Sequence, residues 1–447
     1  MATAPVNSTW SKTKAKFKKE RKSIAYLSLM TFTFLYYMRP QDVIPGMEVL
    51  PLEKIGGGVA LLALIFGVLP KDRGKIPVEL KVLLLLLVDM LITIPFAFWR
   101  GGAFDAVVTK FSKGVIVALL IGLIVSKLFE IRRLLFIQAG SVALVAALSV
   151  LAHRTLGGRL WGIQKGILEN PNDLAINIAI NFPLCVAFMF AAKSGFKKAL
   201  WIIGLIFMLY CVLITYSRSG LIALVITMLV CLWEYGIKQK RVVLVLSAAF
   251  LGMLGLGIAL MTPHFIARMS SLVNGNVAGS GDHGSLEARE VLLKQSISLA
   301  LHHPLLGVGP GNFPVVTSEW RVAHNSYTEL AAEAGFPALF LFLLMFFLSF
   351  KKLGNIRKLP GYTADPSIQL WASALWASIA AYLAGSMFAS TEYNLFPYFM
   401  VGFVCALYRT ASQPLPESAT PTSGDARAAK PVIHQGPQRK RELVMSR

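Results

Sequence analysis

Apolar residues in this chain come in long blocks, separated by short polar stretches. A membrane-crossing helix needs about 20 predominantly apolar residues, and twelve blocks approach that length: 24–38, 55–69, 78–98, 109–126, 134–152, 174–192, 199–216, 219–235, 242–262, 326–350, 368–390 and 396–409. In lipid every backbone polar group must be satisfied within the segment, so the blocks are read as helices. The expected fold is an all-α integral membrane protein of about twelve spans. Several blocks are short, so tilt, re-entrance or partial burial is expected. "RPQDVIPG" after the first block is a Pro/Gly-broken connection rather than a continued helix.

Composition agrees: 55% of the 447 residues are hydrophobic and 15% charged, against roughly 25% charged in a soluble domain. The net charge of +21 raises nucleic acid as a partner, but its distribution argues otherwise. Lys12, Lys14, Lys16, Lys18, Lys19, Arg21 and Lys22 precede the first block, and every second short loop repeats the bias. Those loops hold Lys71, Arg73 and Lys75; Lys127, Arg132 and Arg133; Lys193, Lys197 and Lys198; Lys238, Lys240 and Arg241; and Lys351, Lys352, Arg357 and Lys358. With twelve spans, all of these loops and both termini fall on the cytoplasmic side. The charge is then a topology signal and an attraction to membrane lipids, with no nucleic acid implied. The N-terminus lacks a small-residue cleavage site, so no signal peptide is expected. Cys185, Cys211, Cys231 and Cys405 all sit in apolar blocks and read as core residues.

The expected division is a basic cytoplasmic segment 1–23, spans one to nine over 24–262, a large outer loop 263–325, spans ten to twelve over 326–409, and a disordered cytoplasmic tail 410–447. Chemistry gathers on the outer side. "ENPNDLAINIAINFPL" opens a span with Asn172 or Asp173 placed to cap it, and Asn177 and Asn181 follow one turn apart on one face. "TYSRSGLIAL" joins two spans almost without a loop, so Arg218 lies near the outer interface. It either snorkels to headgroups or joins Ser217, Ser219 and the free amides of the next helix in an anion site. In the large loop, an amphipathic helix over about Ser285–Leu301 suits the membrane surface. "GVGPGNF" follows as a tight turn and lacks the GK[ST] ending of a nucleotide loop. The loop returns at His324 and Asn325, with Glu329 and Glu333 in the first turns of span ten. This is either a capped interfacial helix or a cavity where a neutral histidine takes a proton from a hydroxyl.

Three of these stretches, "TYSRSGLIAL", "HHPLLGVGPGNF" and "AHNSYTELAAEAGFPALFLF", together with "NPNDLA", resemble the O-antigen ligase and polymerase superfamily over roughly Glu169 to Phe350. The resemblance implies a membrane-embedded, GT-C-like glycosyltransferase of the bacterial inner membrane. It takes a glycan from undecaprenyl pyrophosphate on the periplasmic face and passes it to an acceptor hydroxyl, such as lipid A-core or another surface glycan. It implies Arg218 and Arg289 as pyrophosphate ligands and His324 as the group that activates the acceptor. Ser217, Ser219, Asn172, Asn325 and Glu329 are the accompanying substrate contacts. No DxD motif or convincing carboxylate cluster for Mg²⁺ stands in the sequence. The expectation is therefore an inverting, metal-independent transfer without a cofactor, used in lipopolysaccharide biosynthesis. The same signatures fit a polymerase of lipid-linked repeat units (O-antigen or exopolysaccharide) and a protein O-glycosyltransferase. A twelve-span transporter is the rival from another class. It needs midplane helix breaks with ionisable groups, whereas here the polar residues collect at the outer ends of spans.

Overall fold

The computed structural model describes residues 25–44, 46–47, 55, 57–59, 62, 76–164, 168–238 and 283–413. Eleven helices of eight residues or more carry the described part. They are α1 (25–38), α2 (Val78–Thr93), α3 (Arg100–Ile124), α4 (Leu128–Ala152), α5 (Pro171–Ala191), α6 (Gly195–Ile214), α7 (Arg218–Ile237), α8 (His283–His302), α9 (Ser326–Asn355), α10 (Pro366–Gly385) and α11 (Phe396–Ala411). A two-stranded hairpin, Thr155–Leu156 with Arg159–Leu160, follows α4.

Among the described residues, seven helices are long and apolar enough to cross a membrane: α3 to α7, α9 and α10. The chain is a mostly helical, multi-pass membrane protein. The expected spans 24–38, 78–98 and 396–409 correspond to the shorter helices α1, α2 and α11. The expected span 242–262, most of 55–69, both terminal segments and the first part of the large loop lie outside the described residues.

Two expected boundaries moved for one reason. Span four begins at Arg100 rather than 109, passing through a π-helical stretch at Asp105–Phe111. Arg132 and Arg133, expected in a loop, lie in the first turns of α4. Long basic side chains reach the interface from inside a terminal helical turn, so charge does not mark the end of the helix.

Helix ends sort into two sets. One end of the bundle is basic. There Lys352 pairs with Glu79, Arg409 bonds the carbonyls that end α3, and Lys238 and Arg357 flank the buried Glu234. The other end, the rim, gathers the end of α2, the starts of α3, α5, α7, α9 and α11, and the hairpin. In α5, 78% of the most apolar window is buried, against 22% in α6. Thus α5 is central and α6 peripheral in the described bundle. The core around α5 is aromatic: Phe188 packs on Trp201 at 5.0 Å and on Trp371 at 4.6 Å.

Inside the bundle, Asn177 and Asn181 face a neighbour as their spacing suggests. Gln138 of α4 donates to Asn181 Oδ1 at 2.8 Å, and Asn181 donates to Asn177 Oδ1 at 2.6 Å. Burying an amide without such a partner costs on the order of 1–3 kcal/mol.

Candidate active site

The rim holds two polar constructions. The first forms where α5, α6, α7 and the hairpin meet. Asn170 caps α5, accepting from the Asn172 amide at 2.8 Å, with Pro171 as the first helical residue. The cap is therefore Asn170, not Asn172 or Asp173: proline needs no partner for a missing N–H and takes the first position. The side chain of Asn172 is released for other work. Its Oδ1 accepts from Ser217 Oγ at 2.7 Å and from Arg159 Nη2 at 2.8 Å. Arg159 also donates to the Thr215 carbonyl at 3.0 Å.

The "TYSRSG" stretch turns sharply, with Tyr216 at φ 46°. Ser217 caps α7 by accepting from the Gly220 amide at 3.1 Å, and its hydroxyl lies 3.1 Å from that of Ser219. A Cβ on Gly220 would stand 2.2 Å from that of Ala175, so only glycine lets α7 approach α5 this closely. Arg218 is the first residue of α7 and only 8% exposed. It does not snorkel to headgroups. It sits inside the rim at the positive end of a helix.

The second construction is built on α9. Asn325 caps this helix, its Oδ1 accepting from the Tyr327 and Thr328 amides at 3.0 and 3.2 Å. Glu329 is buried and accepts from the Ala323 amide at 2.7 Å and from the Ser390 hydroxyl. Ser390 in turn accepts from the His324 amide at 3.1 Å. His324 adopts φ 56°, a conformation that persists for such a residue only when neighbours impose it. Glu329 and Ser390 impose it here. Asn325 and Glu329, expected as substrate contacts, are thus engaged in holding the chain around the imidazole. Burial first, then the charges of Arg289 and Arg321, push the His324 pKa down to about 4. The ring is neutral at pH 7 and close enough to Arg289 to feel it.

Further along, α9 breaks. Gly335 has φ 82° and ψ 174°. The sequence "EAGFP" explains where the freed groups go. Pro337 has no N–H for the carbonyl of Glu333, and Phe336 turns its amide to the Pro304 carbonyl at 2.8 Å. The stranded carbonyls of Ala332 and Glu333 accept instead from Val308 and Gly309, at 2.9 and 2.8 Å. The "GVGPGNF" turn therefore completes a broken helix rather than cradling a nucleotide. The Glu333 side chain fastens the same turn, accepting from Gly311 N at 2.7 Å, Phe313 N at 2.9 Å and Tyr393 Oη at 2.6 Å. Helix α8, expected on the membrane surface, packs against the outer half of α9. Leu292 and Ala300 join Phe313, Ala331 and Ala332 in a small apolar cluster, and Ser296 donates to Thr328 Oγ1 at 2.9 Å.

One cluster escaped sequence reasoning. Glu329, Glu333 and Glu392 are all buried, and one carboxylate oxygen from each lies within 4.8 Å of the others. Burial, and next the charge of Glu333, push the Glu392 carboxyl up to about 8. The signal was the polar island "STEYN", residues 390–394, between two apolar blocks. Arg159 was also missed, in a polar connection with no motif around it.

The two constructions share the rim. Gly385, at the end of α10, packs beside Ala223 of α7 and Ile176 of α5. The next residue, Ser386, accepts at its carbonyl from Ser326 N at 2.9 Å, one turn or less from His324. The end of α10 thus stands between the starts of α7 and α9.

This is a multi-pass membrane protein with a polar, partly buried site at one end of its bundle. The O-antigen ligase family model matches residues 203–343, from α6 into the inner half of α9. The chain is similar to the O-antigen ligase/polymerase superfamily over that stretch, which contains Arg218, Arg289 and His324. No curated protein matches the chain.

Proposed function

We propose that the rim is a glycan-transfer site facing the periplasm, with the basic end and both termini in the cytoplasm of a bacterial inner membrane. The donor is a glycan on undecaprenyl pyrophosphate and the acceptor a hydroxyl of lipid A-core or another surface glycan. The observation that carries this reading is a neutral imidazole with a fixed backbone, within electrostatic reach of Arg289 and at the rim it shares with Arg218.

The chemistry follows from the groups. Departure of the pyrophosphate leaves negative charge, and Arg218 and Arg289 stabilise it where water is scarce. Ser217, Ser219 and Asn172 hold the α7 start in place and line the approach to its amides. His324 accepts the proton of the acceptor hydroxyl as its oxygen attacks the anomeric carbon. A single displacement inverts that carbon. None of these steps calls for a metal ion on the sugar. About twelve spans in a GT-C-like arrangement fit this assignment, the positive-inside pattern setting the orientation.

The same donor site serves a polymerase of lipid-linked repeat units, since only the acceptor differs. Purified protein incubated with undecaprenyl-pyrophosphate glycan and candidate acceptors decides between them by product mass. Glycan on a terminal acceptor supports a ligase. A ladder of longer lipid-linked chains supports a polymerase. Intact donor with every acceptor rejects the transfer reading.

A further inference from the structure

We propose that Glu329, Glu333 and Glu392 form a buried site for a hard divalent cation of the Ca²⁺ class. The cation pins the Gly-rich turn, the start of α9 and the 386–393 connection to one another. The proposal is independent of the transfer reaction.

Three carboxylates with oxygens within 4.8 Å of one another cannot all carry charge away from water unless a cation or shared protons compensate. The hydrogen bonds bear first on Glu333. Backbone amides of Gly311 and Phe313 donate to Glu333, one on each oxygen, and the Ala323 amide donates to Glu329. An amide N–H cannot accept a proton from a carboxylic acid. Both oxygens of Glu333 therefore face donors, and that carboxylate is built to stay ionised. Glu329 receives a second donor, the Ser390 hydroxyl, and Glu333 a third, the Tyr393 hydroxyl.

Among the described residues, protein cations do not fill the gap. Lys110 is the basic side chain that acts on Glu333, but it is 61% exposed and pairs with Asp105 at 3.3 Å. The third carboxylate supplies an independent observation. Glu392 is 1% exposed, and its Oε2 is buried without a hydrogen-bond partner. A buried, unpartnered carboxylate oxygen costs several kcal/mol unless something binds it. An all-oxygen ligand set of carboxylates selects Ca²⁺ or Mg²⁺ over softer metals, and Ca²⁺ tolerates irregular geometry better.

The ligands come from two places in the chain, α9 and the connection before α11. Through Ser390 and Ala323 they reach the His324 backbone. The cation would act on the imbedded turn and on the placement of the imidazole, not on the sugar.

The test uses the full-length protein in detergent, desalted into metal-free buffer. Elemental mass spectrometry is expected to find about one Ca²⁺ or Mg²⁺ per chain. EDTA is expected to lower the unfolding midpoint by several degrees, and CaCl₂ to restore it. Glu392→Gln keeps the side chain's shape and should remove both the bound metal and the EDTA response. Glu290→Gln, on the exposed face of α8, should change neither. Well under one cation per chain, with a midpoint that ignores EDTA, overturns the proposal in favour of shared protons. So does a stoichiometric metal that Glu392→Gln fails to remove. Should that variant not fold, the metal content and EDTA response of the unaltered protein still decide.

Discussion

The two halves of the rim are made by opposite strategies. Around Arg218 the turn itself is local: residues beside one tight connection supply the cap, the hydroxyls and the glycine, and Asn172 of α5 and Arg159 of the hairpin brace it from outside. Around His324 more is assembled from distant segments. Its backbone amide bonds Ser390, which bonds Glu329, and the broken helix that follows is completed by Val308 and Gly309, more than twenty residues before the carbonyls they serve. A local site is rigid because short loops have little entropy to lose. An assembled site is rigid only while all its segments stay docked. The difference predicts that the first half resists damage better than the second.

The largest effects should come from the groups placed on the reaction itself. Arg218→Ala and His324→Ala are each expected to lower transfer on the order of 10²–10⁴-fold, as losing a charge stabiliser or a general base does. Membrane insertion should be unchanged, as read by fractionation and by the midpoint of unfolding. Normal transfer by both variants would break the assignment. Next comes the joint in α9. A Cβ on Gly335 would meet the Leu305 carbonyl oxygen at 2.4 Å, at a φ that side chains rarely adopt. Gly335→Ala should therefore cost on the order of 2–4 kcal/mol, seen in thermal unfolding. Removing one component of the local half should cost less. Ser217→Ala deletes the α7 cap, worth about 1 kcal/mol. If it unfolds the protein more readily than Gly335→Ala, the contrast between the halves is wrong.

The smallest effect is in pH. Folding depresses the His324 pKa from 6.5 to about 4. The unfolded chain then binds the extra proton between those values, so this residue's contribution to stability falls as pH drops from about 6.5 towards 4. The neutral base persists through the same window. Transfer measured between pH 7 and 5.5 should change little on its account. An activity limb centred near 6.5 would show that His324 is not held as described, or is not the base.

The contrast also explains what was legible in the sequence. The seven long spans announced themselves by hydropathy, and the Arg218 turn by a dense string of small polar residues between two apolar runs. His324 was visible because it opens a span beside a helix-capping asparagine. Glu392 was not, because its partners lie on another helix and nothing in "STEYN" points to them. The backbone contacts of Glu329 and Glu333 were hidden for the same reason. Carboxylates in a first helical turn suit the helix dipole, and only the fold reveals that backbone amides of other segments have claimed them. Asn172 and Asn170 illustrate the limit at finer scale: both suit a cap, and the proline between them decides.

The interruption at Gly335 and Pro337 has a consequence for the lipid around the protein. Bilayers differ by several ångströms in thickness, and an unbroken helix answers by tilting from end to end. Here the lower part of α9 is tied to α2 through the Lys352–Glu79 pair, while its upper turns are moored to the Gly-rich strap and to α8. A change in bilayer thickness is then expected to tilt α2 and the lower part of α9 together, with the break lying between them and the imidazole.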